Sequence, residues 1–195
     1  EYIKVFHMGN SDCYLGPYAM IVDTRTFLKH NAVKKELIAD LGVYIDVFPL
    51  DKGGDISYVQ KLVSQSYRLK ALNNLTLVNH FGDETGIKKV AKQLIAPFAN
   101  LIGHKFLCDK IQGLTEKIQT SDPQYAVDLM WEPRMNWVIP LEAYKESVML
   151  QFEDEYFNAP ADYDLVLRIG YGNYMEFPPE AERITGHFYD YYWKE

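Results

Sequence analysis

The chain has 195 residues, enough for one domain with a substantial core, and 48% of them are hydrophobic and 24% charged, as in an ordinary globular protein. The formal net charge of −7 argues against a general binder of nucleic acid or of anionic membranes. A local basic patch would lie at Lys88, Lys89 and Lys92. No apolar run approaches the roughly 18 to 20 residues of a membrane-spanning helix. Two cysteines, Cys13 and Cys108, give no disulfide framework, so we expect a reduced, cytoplasmic protein.

The chain begins at Glu1 with neither an initiator Met nor a signal peptide, so we expect a processed chain or, by preference, an N-terminally truncated fragment. The predicted elements indicate an α+β fold in a single domain over residues 1–195. Within that domain we expect three consecutive parts, which are strand-rich over 1–51, helical over 55–120 and mixed over 124–195.

The first part contains four candidate strands. Three short β-like segments lie at residues 1–7, 18–23 and 27–28, and a helical or loop connection follows at 33–40. The fourth segment, residues 41–51, is the most apolar and most β-branched run of the chain, and it carries one charge in its middle. This run therefore predicts a strand.

Alternation along that strand places two sets of side chains on opposite faces. One face carries Val43, Ile45 and Val47, and the other carries Tyr44, Asp46 and Phe48. Because both sets are largely apolar, we expect a central strand that is buried on both faces. A carboxylate there costs several kcal/mol unless it is paired, hydrogen-bonded or metal-bound. Two interpretations of Asp46 stay open: a solvated strand end just before Pro49, or a ligand of a functional site.

Three helices are predicted in the middle of the chain. Asp55 is a good N-cap for a helix that starts at Ile56, and a second helix starts near Thr85. Pro97 is expected to kink or restart this second helix, and a third segment runs to about Gln119. No group of charged residues lies on the apolar stripes of these helices. We therefore interpret the stripes as faces that pack in the core. The stripe of the second helix consists of Ile87, Val90, Ala91, Leu94, Ile95, Phe98, Leu101 and Ile102.

His104 and Cys108 lie four residues apart, on one face of the third helix. They form a possible metal pair, but neither belongs to a zinc-type spacing and no further ligands lie nearby in the sequence. We favour the simpler interpretation, in which Cys108 fills the core and His104 is partly exposed.

The last part mixes strands, a short helix and aromatic loops. Strand-like runs lie at 125–131 and 148–153, and a loop is predicted at 157–160. Asp162 can cap a short helix over 163–169. Glycines flank Tyr171, and two prolines hold the next segment extended, so this loop would suit phosphate or sugar recognition through Tyr171, Arg183 and His187. Its alternative interpretation is a structured surface tail that ends in exposed aromatic residues.

Two stretches resemble the LicD family, the phosphorylcholine-transferase-like proteins that include the fukutin group. Residues 42–51 are similar to the family's G-x-x-I-D-[IV]-F-P-L-D strand. A C-terminal stretch is similar to its F-E … P … Y-D … L … Y-G-[DN]-Y-M … P-P-E … R … H signature. A weaker match at 19–26 has Met20 where the family usually has Lys. The C-terminal matches are Phe152, Glu153, Phe157, Pro160, Tyr163, Asp164, Leu167, the run 171–175, Pro178, Pro179, Glu180, Arg183 and His187.

This resemblance spans about residues 17–187 and implies a nucleotidyltransferase-like fold, a mixed sheet with acidic metal ligands, a helical insertion and a C-terminal segment of strand, short helix and loop. Family members move a phosphorylated alcohol, such as phosphocholine, from a CDP-linked donor to a hydroxyl of a cell-surface glycan, as in lipopolysaccharide, teichoic acid or capsule biosynthesis. The implied cofactor is Mg²⁺, a hard cation held by carboxylates and substrate phosphates. CDP-choline or a related CDP-alcohol and a glycan acceptor are the implied partners, at the cytoplasmic side of the inner membrane.

The chain departs from the family in one respect. The D-D-D-I-D run that the family carries on an earlier strand is not in this sequence, so we expect a sheet that is incomplete and a polypeptide that is inactive alone. The resemblance makes Asp46 a catalytic residue that binds Mg²⁺ or activates the acceptor hydroxyl. It also assigns substrate-binding roles to Asp23, Arg25, Asp51, Tyr171, Arg183 and His187. The competing hypothesis is a non-catalytic glycan- or nucleotide-binding relative that has lost the acidic metal site.

Overall fold

The structure, a computed structural model, describes residues 2–79, 86–130, 137–183 and 189–195. It is an α+β fold, as predicted, with several small antiparallel sheets and a helical block between them. The part expected to be helical contains the three long helices, and strands precede and follow it.

The first sheet has three antiparallel strands in the order β1 (Ile3–Phe6), β2 (Ala19–Asp23) and β4 (Val43–Val47). One face of this sheet covers a hydrophobic core that also receives the short helix α1 (Lys35–Ile38). Met20 and Val22 on β2 are fully buried in that core. The central strand of the sheet is therefore β2.

The expectation that β4 is buried on both faces is wrong. β4 lies at the edge of its sheet, and Val43, Ile45 and Val47 are 47%, 67% and 45% exposed. Its other face, with Tyr44, Asp46 and Phe48, is half-buried against the first core. Alternation predicted which residues share a face, but it did not show whether each face is covered.

The other strands form three small sheets. β3 (Thr26–Lys29) pairs with β10 (Asp190–Trp193) near the C-terminus. β5 (Asp51–Gly53), β6 (Tyr125–Val127) and β7 (Val138–Pro140) form a second three-stranded sheet. β8 (Ser147–Phe152) and β9 (Glu155–Pro160) form a hairpin, so the loop predicted at 157–160 is a strand instead.

The helices begin and end close to the predicted residues. α2 (Ile56–Thr76) is capped by Asp55, whose carboxylate accepts a hydrogen bond from Tyr58 N at 2.8 Å. α3 (Gly86–Ile102) continues through Pro97 without a break, and α4 (His104–Ile118) follows after Gly103, whose φ is +92°. Asp162 caps α5 (Tyr163–Tyr171), as predicted. A second core lies between α2, α4 and β6.

The apolar stripe of α3 does not pack in the core, contrary to our interpretation of the sequence. Ile87, Leu101, Phe98 and Leu94 are 89%, 86%, 69% and 67% exposed. α3 touches α2 through its opposite face, where Ala99 is fully buried. None of the helices in the described part of the chain is long and apolar enough to cross a membrane.

Candidate functional site

Asp46 is held on the core side of the first sheet by its position on β4. It pairs in register with Met20 of β2, so its side chain points to the same side as this fully buried residue. Tyr44 and Phe48, two positions away on either side, extend the same half-buried face. The Asp46 carboxylate therefore lies between water and the first core, and not at a fully solvated strand end.

Four tyrosines lie near enough to Asp46 for its charge to act on them. Tyr44 is on the same strand face, Tyr189 contacts Tyr44 at 6.4 Å, and Tyr18 contacts Phe48 at 4.7 Å. Burial raises the pKa of Tyr18 and of Tyr44, and the negative charge of Asp46 adds to both shifts. The pKa of Tyr189 and that of Tyr191 are raised by the same two causes, with burial again the larger. All four phenols therefore stay neutral at physiological pH, so they do not repel the Asp46 carboxylate.

Tyr189 and Tyr191 come near Asp46 because the tail folds back onto the first part of the chain. In the β3–β10 pair, Tyr191 lies opposite Leu28. The Tyr189 ring contacts the rings of His30 and Tyr44, at centroid distances of 5.1 and 6.4 Å. We had expected the aromatic residues of this tail to be exposed. Tyr189 is half-buried, so that expectation holds only for part of the tail.

Asp51 occupies a different environment, at the start of β5 beside the second core. It is 9% exposed, and its Oδ2 atom is buried and accepts no hydrogen bond from any described residue. Burial, with a smaller contribution from the nearby charge of Asp128, raises the pKa of Asp51 to about 6. Asp128 is itself buried, and its Oδ1 atom accepts a hydrogen bond from Met130 N at 2.7 Å. Two acidic residues thus lie close together inside the protein.

Asp23 and Arg25 lie on the opposite face of the first sheet from Asp46. Asp23 pairs with Val43, whose side chain is on the exposed face, whereas Asp46 shares the covered face with Met20. The two charged groups bind each other, with Arg25 Nη2 at 2.5 Å from Asp23 Oδ2. The Arg25 guanidinium also lies over the ring of Tyr2, 3.7 Å from its centroid. Asp23 and Arg25, which were predicted to bind substrate, therefore bind each other and lie away from Asp46.

The C-terminal motif residues form a separate surface feature. Tyr171, at the end of α5, is 65% exposed and its ring packs edge-on against Trp137 at 5.3 Å. Arg183 Nε donates to the Pro178 carbonyl at 2.8 Å, which ties its side chain to the loop after α5. No described contact joins Tyr171 or Arg183 to Asp46, and His187 lies outside the described residues.

A small polar network organises the loop after α5. The Tyr174 hydroxyl donates to Asp164 Oδ1 at 2.8 Å, and Arg168 Nε donates to Asp164 Oδ2 at 2.7 Å. These bonds hold the pKa of Asp164 below its ordinary value. Two positions of the motif, Asp164 and Tyr174, are thus tied together across the turn that follows the helix, which fixes the path of this loop.

The pair on α4 agrees with the packing interpretation. Cys108 is fully buried, and burial is the main cause that raises its pKa to about 12. His104 Nδ1 lies 2.9 Å from Asn73 Oδ1, and Nε2 lies 3.1 Å from the Tyr14 carbonyl oxygen. Since both ring nitrogens already have polar neighbours in the protein, this pair joins α4 to α2 and to the first part of the chain.

The described residues do not by themselves make a magnesium site. They contain no group of three or more His, Cys, Asp or Glu side chains that could hold a metal ion. Asp46 is one half-buried carboxylate with aromatic neighbours, and Asp51 belongs to the second sheet. Asp46 could supply at most one ligand to an ion that substrate phosphates also bind. What the arrangement can do without a metal is hold a cation between a carboxylate and several aromatic rings.

The sequence identified Asp46 and placed Tyr44 on its face, but it did not indicate Tyr18, Tyr189, Tyr191 or Asp128. Tyr189 and Tyr191 reach the site through a strand pair that no local pattern signals. No family model, no curated protein and no solved structure matches this chain.

Proposed function

We propose that this chain is part of a LicD-like transferase that moves phosphocholine from CDP-choline to a hydroxyl of a cell-surface glycan, at the cytoplasmic face of the membrane. One observation carries the proposal: Asp46 shares its half-buried sheet face with Tyr44 and Phe48, whose rings contact those of Tyr189 and Tyr18 at centroid distances of 6.4 and 4.7 Å. Asp46 is also the acidic residue of the strand motif that resembles the family. The site residue and the resemblance therefore coincide.

The choline head group suits this surrounding better than a polyol does. A trimethylammonium group has no N–H to donate, so proteins recognise it by aromatic faces and a nearby negative charge. A ribitol phosphate would instead need several hydrogen-bond partners for its hydroxyls. Aromatic rings predominate around Asp46, which favours choline as the transferred alcohol.

The proposed reaction forms one P–O bond and breaks another. An acceptor hydroxyl oxygen attacks the phosphorus of the phosphocholine group, the phosphoanhydride bond to CMP breaks, and the hydroxyl proton leaves to a base. CMP is the leaving group, and the glycan gains phosphocholine. Magnesium, when bound by a transferase of this kind, neutralises charge on the pyrophosphate. Asp46 would orient the donor by holding its choline head or, as the family resemblance implies, would activate the hydroxyl or bind the metal ion.

Binding measurements test this proposal directly. By isothermal titration calorimetry we expect phosphocholine and CDP-choline to bind, and Asp46→Asn to weaken both about tenfold or more, since it removes the charge facing the ammonium. Asp23→Asn, on the opposite sheet face, is the matched control and should leave the affinity unchanged. Equal binding by wild type and Asp46→Asn, or failure of both ligands to bind, would overturn the proposal.

A second candidate is a non-catalytic relative that binds a choline-bearing glycan or nucleotide. The half-buried position of Asp46 favours it, because a carboxylate enclosed by neutral rings is well placed to hold a cation. CMP release from CDP-choline, followed with Mg²⁺ and a glycan acceptor, separates the two. Phosphocholine binding without CMP release would support the binding protein, and release that Asp46→Asn abolishes would support the transferase.

A further inference from the structure

The helix α3 presents its apolar face to solvent along its whole length. Ile87, Leu94, Phe98 and Leu101 are between 67% and 89% exposed, and other residues of the same stripe are about half exposed. These residues recur at the three- and four-residue spacing that places them on one side of a helix. A helix of 17 residues is about 25 Å long, so the stripe is an extended apolar surface. Such a surface marks an interaction site.

The orientation of α3 is the reverse of that of a helix packed in a core. Ala99, which is fully buried, lies on the side that meets α2, and Ala96 and Lys92 on that side are half-buried. At the end of the helix, Asn100 accepts a hydrogen bond from Lys34 Nζ at 2.6 Å. Small and polar residues therefore attach α3 to the protein, and the large apolar residues are left for another partner.

Charge indicates what that partner is. Residues 56–118 contain nine Lys and Arg against four Asp and Glu, a net charge of +5. The whole chain carries −7, so the remaining residues carry −12. α3 itself contains three lysines and no acidic residue. An anionic surface would therefore attract the helical block and repel the rest of the protein, which orients the molecule with α3 towards that surface.

We propose that α3 docks the protein onto an anionic lipid membrane, lying in the plane of the interface. Its apolar stripe enters the acyl-chain boundary, and the exposed Lys88 beside the stripe lies at the level of the lipid phosphates. A basic amphipathic helix with Phe, Leu and Ile on one side is the type that binds membranes in this way. Spanning is not required, since no described helix is suited to it. The proposal does not depend on the proposed transferase activity, because it rests on α3 alone.

A vesicle flotation assay on the full chain tests the proposal. We expect wild type to float with phosphatidylcholine–phosphatidylglycerol vesicles, to bind phosphatidylcholine alone much less, and to lose binding as salt rises. The triple variant Leu94→Gln/Phe98→Gln/Leu101→Gln should lose about tenfold or more of its binding, because three large apolar groups no longer enter the lipid. Since all three side chains are exposed, the variant should keep the wild-type melting temperature.

Matched controls separate lipid binding from general surface hydrophobicity. Met175 and Phe177 are 75% and 86% exposed but lie in the loop after α5, so Met175→Gln/Phe177→Gln should float like wild type. Lys88→Glu should weaken binding to the anionic vesicles only.

Three results would overturn the proposal. The first is a wild type that stays unbound on anionic vesicles, and the second is a triple variant that binds them as wild type does. The third is a wild-type dimer that the triple variant converts to a monomer in light scattering, which would assign the stripe to contact between two copies. CDP-choline binding is measured in separate experiments, so a loss there leaves the vesicle result standing.

Discussion

Asp46 and Asp51 are five positions apart in one motif, yet they lie in two different chemical environments. Asp46 lies on the covered face of the first sheet among four tyrosines, whose phenols are neutral. Asp51 lies on β5 of the second sheet, where burial and the charge of Asp128 raise its pKa to about 6. The Pro49 segment between them carries the chain from one sheet to the other.

The comparison shows that partial burial alone does not make a carboxylate a ligand. A buried acid beside a second acid gains by binding a proton, because protonation removes both the desolvation cost and the repulsion. The phenols near Asp46 are neutral, so they do not repel its carboxylate in this way. Asp46 therefore remains the candidate for ligand binding, whereas Asp51 keeps its proton up to about pH 6.

The largest effect is expected from Asp51→Asn. The native pKa of Asp51 lies above its ordinary value of 3.8, so the native state binds the proton more tightly than the unfolded state does. Stability is therefore lost as pH rises from about 4 to about 6, and the shift corresponds to roughly 3 kcal/mol. Asn has no proton to lose, so the variant should be more stable than wild type at pH 8 and similar near pH 4, as measured by urea unfolding.

Asp128→Asn is the control for this result. It keeps an oxygen for the Met130 N–H but removes the charge, so it should reduce the pH dependence only in part, because burial is the larger cause of the Asp51 shift. An Asp51→Asn variant less stable than wild type at pH 8 would show that the Asp51 carboxylate is charged and stabilising.

A smaller effect is expected at the tyrosines when Asp46 is replaced by Asn. Burial is the main cause of the raised pKa of Tyr189 and of Tyr191, and the Asp46 charge is a lesser one. Removing the charge should therefore lower both values without returning them to that of free tyrosine. Phenolate absorbance during alkaline titration measures this change. Unchanged titration would place the carboxylate away from these rings.

The smallest effect is expected from Asp23→Asn. The Asp23–Arg25 pair is exposed, and such pairs add little to stability. Arg25 keeps its contact with the Tyr2 ring, so we expect an unchanged melting temperature. A clear loss of stability would mean that this pair fixes the edge of the first sheet. Asp23→Asn would then no longer be a structurally neutral control for Asp46→Asn.

Much of the secondary structure could be predicted from the sequence because local signals determine it. Asp55 and Asp162 cap the helices they were expected to cap, since a carboxylate before an apolar repeat satisfies the first free N–H groups. Periodicity also grouped Val43 with Ile45, and Leu94 with Phe98, on common faces. In both cases the predicted burial was wrong, because periodicity reports which residues share a face and contains no information about what covers it.

The candidate site could be predicted only in part. Asp46 stands out as a charge within an apolar strand, and Tyr44 follows from alternation. Tertiary packing brings Tyr18 and Tyr189 near Asp46, and it brings Asp128 near Asp51. This packing depends on distant strand pairs and not on local spacing. The role of Asp51 also needed the structure, since its raised pKa arises from β5 and β6 lying side by side.

The pairing of β3 with β10 has a consequence for biosynthesis. Lys29 lies opposite Asp190, about 160 positions later in the chain, so this contact has a very large sequence separation. During translation the β3 strand emerges long before its partner, so Tyr189 and Tyr191 join the first part of the chain only after the helical block has been made. A chain cut between α5 and β10 would therefore keep the helices α1 to α5 but would lack Tyr189 and Tyr191, leaving the Asp46 face without the rings that the tail brings to it.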